Sequence, residues 1–428
     1  MRVSTDSRGN CDRDGVVSEC GAIYHRVSGI RHQNLCKISL TQPYLSCYVT
    51  FLDYQEKILK HDIRSIAQHF QVQGDFVSTG PYGNGHINDT YAAIYNYQGS
   101  QVRYIHQRIN HNIFKDPVSL MDNIFRVTMH QRKKLEKEGC RDLERRALTL
   151  VPTKDGLPYY QDVRGNTWRT YLFIEGARTY EAIENPVQAF HAAKAFGELQ
   201  RQLVDLSGER LHETIPDFHN TPKRFESLEK VIEADPVNRA KYAKGEINFA
   251  MKYKDMTGIL LKKHGEGLIP ERITHNDTKL NNVMLDEESG EGICVIDLDT
   301  VMPGLVLYDF GDMVRTATSP TEEDERNLLK VRMEMVMFEA LVKGYLESAG
   351  EFLNDAEKEY LTFSGKLITL EIGLRFLTDF LAGDVYFKVQ RKSHNLDRCR
   401  TQFKLVESIV EQEDAMNRFV AMAIQQTR

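Results

Sequence analysis

The stretch 273–285 contains the spacing H-x-D-x-x-x-x-N, which places His275, Asp277 and Asn282 in one predicted loop. A second apolar run ends in Asp297, at the end of a short predicted strand. Phosphoryl transfer uses this set of groups, because one carboxylate takes the proton of the attacking hydroxyl while a carboxamide and a second carboxylate hold Mg²⁺. Mg²⁺ keeps several waters, so two protein oxygens and a nucleotide suffice. The spacing therefore predicts Asp277 as general base and Asn282 and Asp297 as Mg²⁺ ligands.

A glycine-rich turn at 80–85 lies between strand-like runs at 75–79 and 88–97, and a third run follows at 102–109. Glycine has no side chain to obstruct a ligand, so the backbone N–H groups of such a turn can approach phosphates. A tight hairpin that merely uses glycine explains the same residues, and the loop at 273–285 favours the phosphate-binding interpretation. The candidate nucleotide contacts of this turn are Gly83, Gly85, His86 and Asn88.

Three segments, at 275–282, 296–300 and 308–315, resemble the aminoglycoside-phosphotransferase-like branch of the protein-kinase-like fold. Within this branch the sequence is most similar to the N-acetylhexosamine 1-kinases, and the similarity includes the stretches 82–88 and 375–386. The resemblance implies an α+β protein of two lobes, with a small antiparallel-sheet N-lobe and a large, mostly helical C-lobe. It implies ATP and Mg²⁺ as cofactors, and phosphorylation of N-acetylglucosamine or N-acetylgalactosamine at the anomeric hydroxyl to give the 1-phosphate.

The third strand departs from the general kinase pattern at Gln107, where kinases carry a lysine that contacts the α- and β-phosphates. Gln107 can donate a hydrogen bond to a phosphate oxygen but has no charge, so Mg²⁺ is expected to supply most of the neutralising charge. The neighbouring Arg108 is expected on the opposite face of the strand. Backbone groups from Phe173 to Glu175 are expected to form the hinge against which adenine stacks, and an edge strand is the alternative interpretation.

The resemblance also indicates an acceptor site. Arg375 and Tyr386 map to residues that contact the N-acetylhexosamine, and Asp277 is expected to face its anomeric hydroxyl. Asp299 is expected to contact the sugar or to join the metal shell. Without the resemblance, Arg375 and Tyr386 would indicate a salt bridge and a half-buried tyrosine. Lys279 is expected either to approach the transferring phosphoryl group or to form a surface salt bridge.

Other polar residues of the catalytic block are expected to be structural. His275 is predicted to bond backbone groups within the loop. Charged groups that follow such a loop usually tether it, and this role is predicted for Asp309, Asp312 and Arg315.

The charge of the segment 371–410 bears on the acceptor, because it has seven basic side chains against five acidic ones. A polycationic aminoglycoside would need an acidic lining, and choline would need an aromatic cage, for which a chain with one tryptophan is poorly suited. A neutral sugar fits best. The alternatives are a kinase of another hydroxyl compound (an aminoglycoside, choline or another sugar) and a catalytically silent nucleotide- or sugar-binding regulator. The absent lysine suggests the regulator, and the intact catalytic set speaks against it.

Composition limits the classes of partner. Of the 428 residues 41% are hydrophobic and 27% charged, as in ordinary globular proteins. A net charge of -6 and a pI near 6.2 give no reason to expect a nucleic-acid partner. No apolar run approaches the roughly 20 residues of a membrane span, and the polar N-terminus does not resemble a secretory signal. We expect a cytoplasmic monomer or weak homodimer that binds a small sugar and a nucleotide.

Four of the seven cysteines lie in the first 47 residues, and the family resemblance begins only near residue 60. We therefore expect residues 1–58 to be an N-terminal extension that is disordered or not native to the fold. Residues 59–175 are expected to form the N-lobe, and residues 176–428 the C-lobe. Further elements are predicted from periodicity and capping residues. These are strands at 147–153 and 167–174 and helices at 117–137, 247–264, 322–347, 355–381 and 395–426.

Overall fold

An antiparallel sheet of five strands forms the N-terminal region of the computed structural model, which describes residues 60–83, 85 and 87–426. The predicted extension at 1–58 and the candidate His86 lie outside these residues. The strands are β1 (Asp75–Pro81), β2 (Asp89–Tyr97), β3 (Ser100–Arg108), β4 (Tyr160–Gln161) and β5 (Thr167–Leu172). Their order in space is β1-β2-β3-β5-β4.

The register of this sheet determines which side chains share a face. Thr90 of β2 lies opposite Gln107 of β3, and Gln107 lies opposite Arg169 of β5, so the three side chains point to the same side. On the other side His106 is fully buried, with its Nδ1 2.9 Å from Thr170 Oγ1. Burial lowers the pKa of His106 to about 4, so the ring is neutral at neutral pH.

Three helices accompany the sheet: α1 (Ile63–Ala67), α2 (Pro117–Lys137) and α3 (Leu143–Arg146). Helix α2 has the predicted bounds because its start is coded locally: Asp116 Oδ1 accepts a 3.1 Å hydrogen bond from the N–H of Val118. Inside the helix the buried Asn123 donates through Nδ2 to the carbonyl oxygen of Val301 at 3.0 Å. This bond ties α2 to the segment that follows Asp297.

The C-terminal region is mostly helical. Its helices are α4 (Pro186–Leu203), α5 (Thr221–Ala234), α6 (Lys244–Lys252), α7 (Ile259–Gly265), α8 (Val306–Ala317), α9 (Met335–Ala349), α10 (Asp355–Glu359), α11 (Leu361–Ala382) and α12 (His394–Gln426). Helices α4 and α9 approach closely at Gly344, where an added Cβ would lie only 2.1 Å from the carbonyl oxygen of Phe190. Only glycine permits this contact between the two backbones.

Two small antiparallel sheets flank the predicted catalytic loop. Their strands are β6 (Ala177–Arg178), β7 (Arg272–Thr274), β8 (Val283–Asp286), β9 (Gly292–Val295) and β10 (Met302–Gly304). One sheet has the order β6-β8-β9 and the other pairs β10 with β7. The loop between β7 and β8 ends in a 3₁₀ turn, Leu280–Asn282, and a second 3₁₀ turn, Leu298–Thr300, follows Asp297.

Four of the expected elements differ from the structure, and one of them, the helix expected at 355–381, is divided at Tyr360 into α10 and α11. Segment 147–153 is not a strand: it meets β5 only at the isolated bridge between Leu150 and Tyr171, and the following Pro152 has no N–H to continue a ladder. The expected helix 247–264 is divided into α6 and α7, and Gly258 lies just before α7.

The expected helix 322–347 begins only at Met335. Tertiary hydrogen bonds use the backbone groups that an earlier helix would need. The N–H of Met333 donates to Ser408 Oγ at 3.0 Å, and the N–H of Glu334 donates to the carbonyl oxygen of Thr318 at 2.9 Å. These partners are distant in the sequence, so local periodicity does not reveal them.

The α+β class is confirmed, with an antiparallel sheet in the N-terminal region and helices in the C-terminal region. Across residues 60–83, 85 and 87–426, every helix is too short or too polar to span a bilayer.

Candidate active site

The loop between β7 and β8 is held by a buried carboxylate of α8. Asp309 is fully buried, and its Oδ2 and Oδ1 accept hydrogen bonds from the N–H groups of His275 at 2.8 Å and Asn276 at 2.7 Å. Gln200 of α4 donates to the same carboxylate at 2.7 Å. Desolvation raises the pKa of Asp309, while His275 acts to lower it. The predicted tethering role of Asp309 is confirmed.

A second carboxylate of α8 holds the next part of the loop. The N–H of Thr278 donates to Asp312 Oδ2 at 2.9 Å, and the Thr278 hydroxyl donates to the carbonyl oxygen of Asp309 at 2.7 Å. Arg315 pairs with Asp312, with 2.8 Å between Nη2 and Oδ1. This confirms the tethering role predicted for Asp312 and, through Asp312, for Arg315.

His275 connects the two halves of the site. Its Nε2 lies 2.9 Å from the carbonyl oxygen of Ile296, and its Nδ1 accepts from the N–H of Asp277 at 3.3 Å. Because a carbonyl can only accept, Nε2 carries the proton and Nδ1 is the acceptor. The ring therefore joins the Asp277 loop to the residue before Asp297, and the predicted structural role of His275 is confirmed.

Asp277, Asn282 and Lys279 are in direct contact. Asn282 Nδ2 donates to the backbone carbonyl of Asp277 at 2.8 Å and to its carboxylate at 3.1 Å, and Lys279 Nζ lies 3.0 Å from Asp277 Oδ1. Desolvation acts to raise the pKa of Asp277, but Lys279, His275 and Asn282 together lower it below its usual range. Asp277 is thus an unprotonated carboxylate with 31% of its side chain exposed.

Asp297 occupies the left-handed region, with φ of +58° and ψ of +57°, at the start of the 298–300 turn. Its side chain is exposed. The pKa of Asp297 is raised by desolvation and then by the carboxylates of Asp299 and Asp277. Like charges raise a carboxyl pKa when they lie close together. The carboxylates of Asp299 and Asp277 therefore favour a cation beside Asp297, while Arg169 and Lys279 act on its pKa in the opposite direction.

The side-chain oxygens of Asn282 and Asp297 are the candidate ligands of Mg²⁺. The described residues hold no group of three or more His, Cys, Asp or Glu suited to a metal ion. Mg²⁺ in nucleotide sites requires fewer protein ligands, since phosphates and waters complete its shell. Asn282 uses Nδ2 on Asp277, which leaves its Oδ1 as a possible ligand. With the exposed Asp297 carboxylate, this set of oxygen donors fits Mg²⁺.

Asp299 differs from Asp297 because both of its oxygens already have partners. Its Oδ1 is paired with Nη1 of Arg169, and its Oδ2 accepts from Asn88 Nδ2 at 2.7 Å. Only 3% of the residue is exposed. Desolvation acts to lower the pKa of Arg169, but the Asp299 carboxylate raises it. Asp299 is therefore engaged within the protein, and its expected contact with a sugar or with the metal shell stays a prediction.

Gln107 and Asn88, two expected nucleotide contacts, are engaged within the protein. Gln107 Nε2 donates to Thr90 Oγ1 at 2.9 Å, and its Oε1 accepts from Arg169 Nε at 2.8 Å. Asn88 Oδ1 accepts from the N–H of Asn110 at 3.0 Å. Both residues therefore support Arg169 and Asp299 rather than presenting free groups. Sequence reasoning missed Arg169, although a single charged residue in a strand otherwise made of Thr, Trp, Tyr and Leu was a signal for it.

The glycine-rich turn reaches the predicted hinge. Gly83 has a φ of +74°, and among the described residues no atom beyond the adjacent ones lies within 4 Å of a Cβ built on Gly83 or Gly85. Tyr82 makes an edge-to-face contact with Phe173, at 5.5 Å between ring centroids. The N–H of Phe173 donates to the carbonyl oxygen of Arg103 at 3.1 Å and is not available to adenine. The side chain of Glu175 is paired with Arg103.

The expected acceptor residues lie together near the end of α11. Arg375 lies 5.4 Å from the ring of Phe218 and 5.7 Å from that of Phe387, and Tyr386 packs against Phe387 at 4.8 Å. Asp379 accepts a 2.8 Å hydrogen bond from the N–H of Tyr386 and so fixes this segment. The Tyr386 side chain is 64% exposed rather than half-buried.

This cluster adjoins the catalytic loop. His219, which follows Phe218 in the chain, lies 3.4 Å through Nε2 from the carbonyl oxygen of Asn276 and 2.9 Å through Nδ1 from Glu371. Glu371 is one helical turn before Arg375 on α11. The contacts thus run without a gap from the residue before Asp277 to the acceptor cluster.

A further arginine, Arg224 of α5, belongs to the same cluster and was not expected from the sequence. Its Nη2 donates to the carbonyl oxygen of Phe218 at 3.0 Å. Burial and then the charge of Arg375 lower the pKa of Arg224. Within the described parts of the chain, neither Arg224 nor Arg375 forms an ion pair with a carboxylate. The nearby carboxylate of Glu371 acts on the pKa of Arg224 and is itself affected by Arg375, so it offsets part of the positive charge of the two guanidinium groups.

Comparison with known proteins agrees with the geometry. A sequence model described as the phosphotransferase enzyme family matches residues 81–352. A microcompartment-associated aminopropanol kinase has a similar structure, with a TM-score of 0.55, 16% sequence identity, and coverage of 83% of this chain and 99% of that one. An aminoglycoside phosphotransferase from Alicyclobacillus acidocaldarius gives a TM-score of 0.50, 11% identity, and coverage of 93% and 99%. At these identities the similarity concerns the fold.

Proposed function

Since the chain belongs to the phosphotransferase enzyme family, we propose that it phosphorylates N-acetylglucosamine or N-acetylgalactosamine at the anomeric hydroxyl, with ATP as the donor. The observation that carries this proposal is the arrangement around Asp277. Its carboxylate is held by Asn282 at 3.1 Å and lies 3.0 Å from Lys279 Nζ. A partly exposed, unprotonated carboxylate in a fixed loop can orient a hydroxyl and accept its proton.

The chemistry is an in-line displacement at phosphorus. Asp277 takes the proton of the anomeric hydroxyl while the sugar oxygen forms a bond to the γ-phosphorus. The bond from this phosphorus to the bridging oxygen breaks, and ADP leaves with the electron pair. The Lys279 ammonium lies beside Asp277 and offsets negative charge on the transferring group. No covalent intermediate on the protein is needed.

Asn282 and Asp297 are the residues that would hold Mg²⁺. When bound, Mg²⁺ neutralises phosphate charge and fixes the orientation of the phosphates. The closeness of Asp297 to two other carboxylates, which raises its pKa, supports a cation at this position. Asp297 has a left-handed backbone and is exposed, whereas the following turn 298–300 is buried.

The acceptor cluster favours a neutral compound. Arg224 and Arg375 carry positive charge beside the catalytic loop and are not paired with carboxylates of the described residues. Amino alcohols and aminoglycosides carry ammonium groups, which these guanidinium groups would repel. The hydroxyl and acetamido oxygens of an N-acetylhexosamine can instead accept hydrogen bonds from arginine. This charge distribution supports the sugar over the cationic compounds named for the two structural neighbours.

The proposal is tested by ADP release with Mg-ATP and a panel of acceptors. The panel contains N-acetylglucosamine, N-acetylgalactosamine, glucose, choline, ethanolamine, 1-amino-2-propanol and kanamycin. We expect turnover confined to the two N-acetylhexosamines and an acid-labile phosphate on the product, as an anomeric phosphate requires.

Turnover on an amino alcohol or on kanamycin would retain the catalytic loop and overturn the assignment of Arg375 and Tyr386. ATP binding without turnover on any acceptor would instead favour a regulator. A control without acceptor measures ATP hydrolysis by water and is subtracted from every rate.

A further inference from the structure

Arg169 is a buried arginine in strand β5, which lies between β3 and β4 in the N-terminal sheet. Its side chain is 1% exposed, and its guanidinium bonds two groups at once. Nε and Nη2 donate to Gln107 Oε1 at 2.8 and 2.6 Å, while Nη1 is paired with the buried carboxylate of Asp299. A buried charge is costly unless it is paired and hydrogen-bonded, so these partners determine where the guanidinium lies.

The position of Arg169 in the sheet relates it to the cation that kinases place on the third strand. Kinases carry this cation as a lysine on β3, and here Gln107 stands at that position. Gln107 and Arg169 are direct cross-strand neighbours in the β3–β5 register, with side chains on the same face. The cation has therefore moved by one strand, and Gln107 orients it through its carbonyl oxygen.

Asp299 connects this cation to the predicted metal ligand. Asp299 lies in the 3₁₀ turn Leu298–Thr300, and this turn begins at the residue after Asp297. The second oxygen of Asp299 accepts a hydrogen bond from Asn88 Nδ2 at 2.7 Å. The turn is short, so fixing the Asp299 side chain fixes the peptide units around it. Arg169 and Asn88 thus hold the 298–300 turn in place through its Asp299 side chain.

We propose that Arg169 is the positioning cation of the nucleotide site: from β5 it holds Asp299, and thereby the turn that directs Asp297 toward a metal-bound nucleotide. The inference rests on the proposed function only in assuming that the protein binds a nucleotide with Mg²⁺. Arg169 does not itself touch the nucleotide, because its guanidinium is enclosed by Gln107 and Asp299. Asp299 links Arg169 to the 298–300 turn and is not itself a metal ligand.

The test measures binding of ADP to the full chain by titration calorimetry, once with Mg²⁺ and once with EDTA, and requires no acceptor. The quantity of interest is the gain in ADP affinity that Mg²⁺ provides. Residues that orient metal ligands typically change metal affinity about 10–100-fold when they are replaced. We expect Arg169→Gln to reduce the Mg²⁺-dependent gain by at least about tenfold and to leave the affinity in EDTA nearly unchanged.

Arg108→Gln is the matched control. Arg108 is the next residue of β3 after Gln107, points to the opposite face, and pairs with Asp89 at 2.6 Å. Its replacement removes an ion pair of the same sheet, and we expect it to keep the full Mg²⁺-dependent gain. Thermal unfolding of each variant separates loss of stability from loss of metal coupling.

A relocated charge sharpens the test. In Arg169→Gln/Gln107→Lys the cation returns to β3, within reach of Asp299 because residues 107 and 169 are cross-strand neighbours. We expect this double variant to recover most of the Mg²⁺-dependent gain, and to fold even if Arg169→Gln alone does not. A purely structural role for Arg169 would change the melting temperature and leave the ratio of the two affinities as in the wild type.

Three outcomes overturn the inference. One is Arg169→Gln with a wild-type Mg²⁺-dependent gain. Another is a folded double variant without recovery, and the third is failure of both variants to fold, which would make the pair a folding requirement alone. If the wild type binds no ADP in either buffer, the proposed function fails first and this inference fails with it.

Discussion

Arg169 and Arg375 are two arginines with proposed roles in the site, and their surroundings differ. Arg169 is 1% exposed and fully engaged by Gln107 and Asp299. Arg375 lies beside the rings of Phe218 and Phe387, and the carboxylate that it affects, Glu371, is buried and bonded by His219 and Thr221. The first charge is neutralised within the fold, whereas the second remains available to a ligand.

The difference indicates how each region works. A charge whose partner is built into the protein positions other groups, and its removal leaves a buried carboxylate unpaired. A charge held only by aromatic rings keeps its hydrogen-bond donors for a substrate. Replacement of Arg169 should therefore alter metal coupling, and replacement of Arg375 should alter recognition of the acceptor.

Asp277→Asn removes the proposed general base, which lies between the nucleotide site around Arg169 and the acceptor cluster around Arg375. The amide cannot accept a proton, so we expect kcat to fall about 10²–10⁴-fold, the usual contribution of a general base. ADP affinity in calorimetry should not change, because Asn282 and Lys279 remain in place.

The control for this experiment is Asp205→Asn, which breaks an exposed ion pair with Lys134 and should affect neither quantity. Retention of wild-type turnover by Asp277→Asn would eliminate Asp277 as the base.

His106 lies on the face of the sheet opposite to Arg169 and has no proposed role in catalysis, so its titration affects only stability. His106 has a pKa lowered to about 4 by burial, against 6.5 in the unfolded chain, so between these values the unfolded state binds a proton that the folded state does not. The free energy of unfolding should therefore fall as pH decreases from 6.5 to 4, by about 3 kcal/mol. Chemical denaturation at the two ends of this range measures the loss.

Other groups also titrate in this range, so the His106 contribution is isolated with His106→Gln. Glutamine can still bond Thr170 and the hydroxyl of Tyr95 but does not titrate. We expect a smaller loss of stability in this variant. Equal losses in the variant and the wild type would contradict a neutral, buried His106.

Arg375→Gln tests the open side of the contrast. It removes a charged donor from the acceptor cluster, so the KM for the N-acetylhexosamine should rise about tenfold, equivalent to ~1.4 kcal/mol, while the KM for ATP should not change. Arg400→Gln is the control, since Arg400 of α12 is paired with Glu246 at 2.6 Å. A rise in the KM for ATP instead would place Arg375 on the nucleotide side.

The catalytic block and helix α2 could be predicted because their signals are local. His275, Asp277 and Asn282 lie in one short loop, and the cap Asp116 directly precedes its helix. The late start of α9 could not be predicted, since it depends on Ser408, which lies 75 residues from Met333. Local periodicity does not include such partners.

The residues of the nucleotide site were likewise only partly predictable from the sequence. Gln107 was recognised as a departure from the kinase pattern, but its partner Arg169 lies 62 residues further along the chain. Only the register of β3 against β5 brings the two together. The arginine was visible in the sequence as the one charged residue of its strand, but its contact with Asp299 depends on tertiary structure.

The tethering of the catalytic loop to α8 has a consequence for how this protein can be modified. Asp309 and Asp312 bind the loop through the main-chain N–H groups of His275, Asn276 and Thr278. Every amino acid except proline supplies this N–H, so these three main-chain bonds do not depend on the side chains of the loop, although the Thr278 hydroxyl adds a bond to α8. Combinatorial libraries at the acceptor cluster can therefore be screened for new specificities while the general base stays in register with its helix.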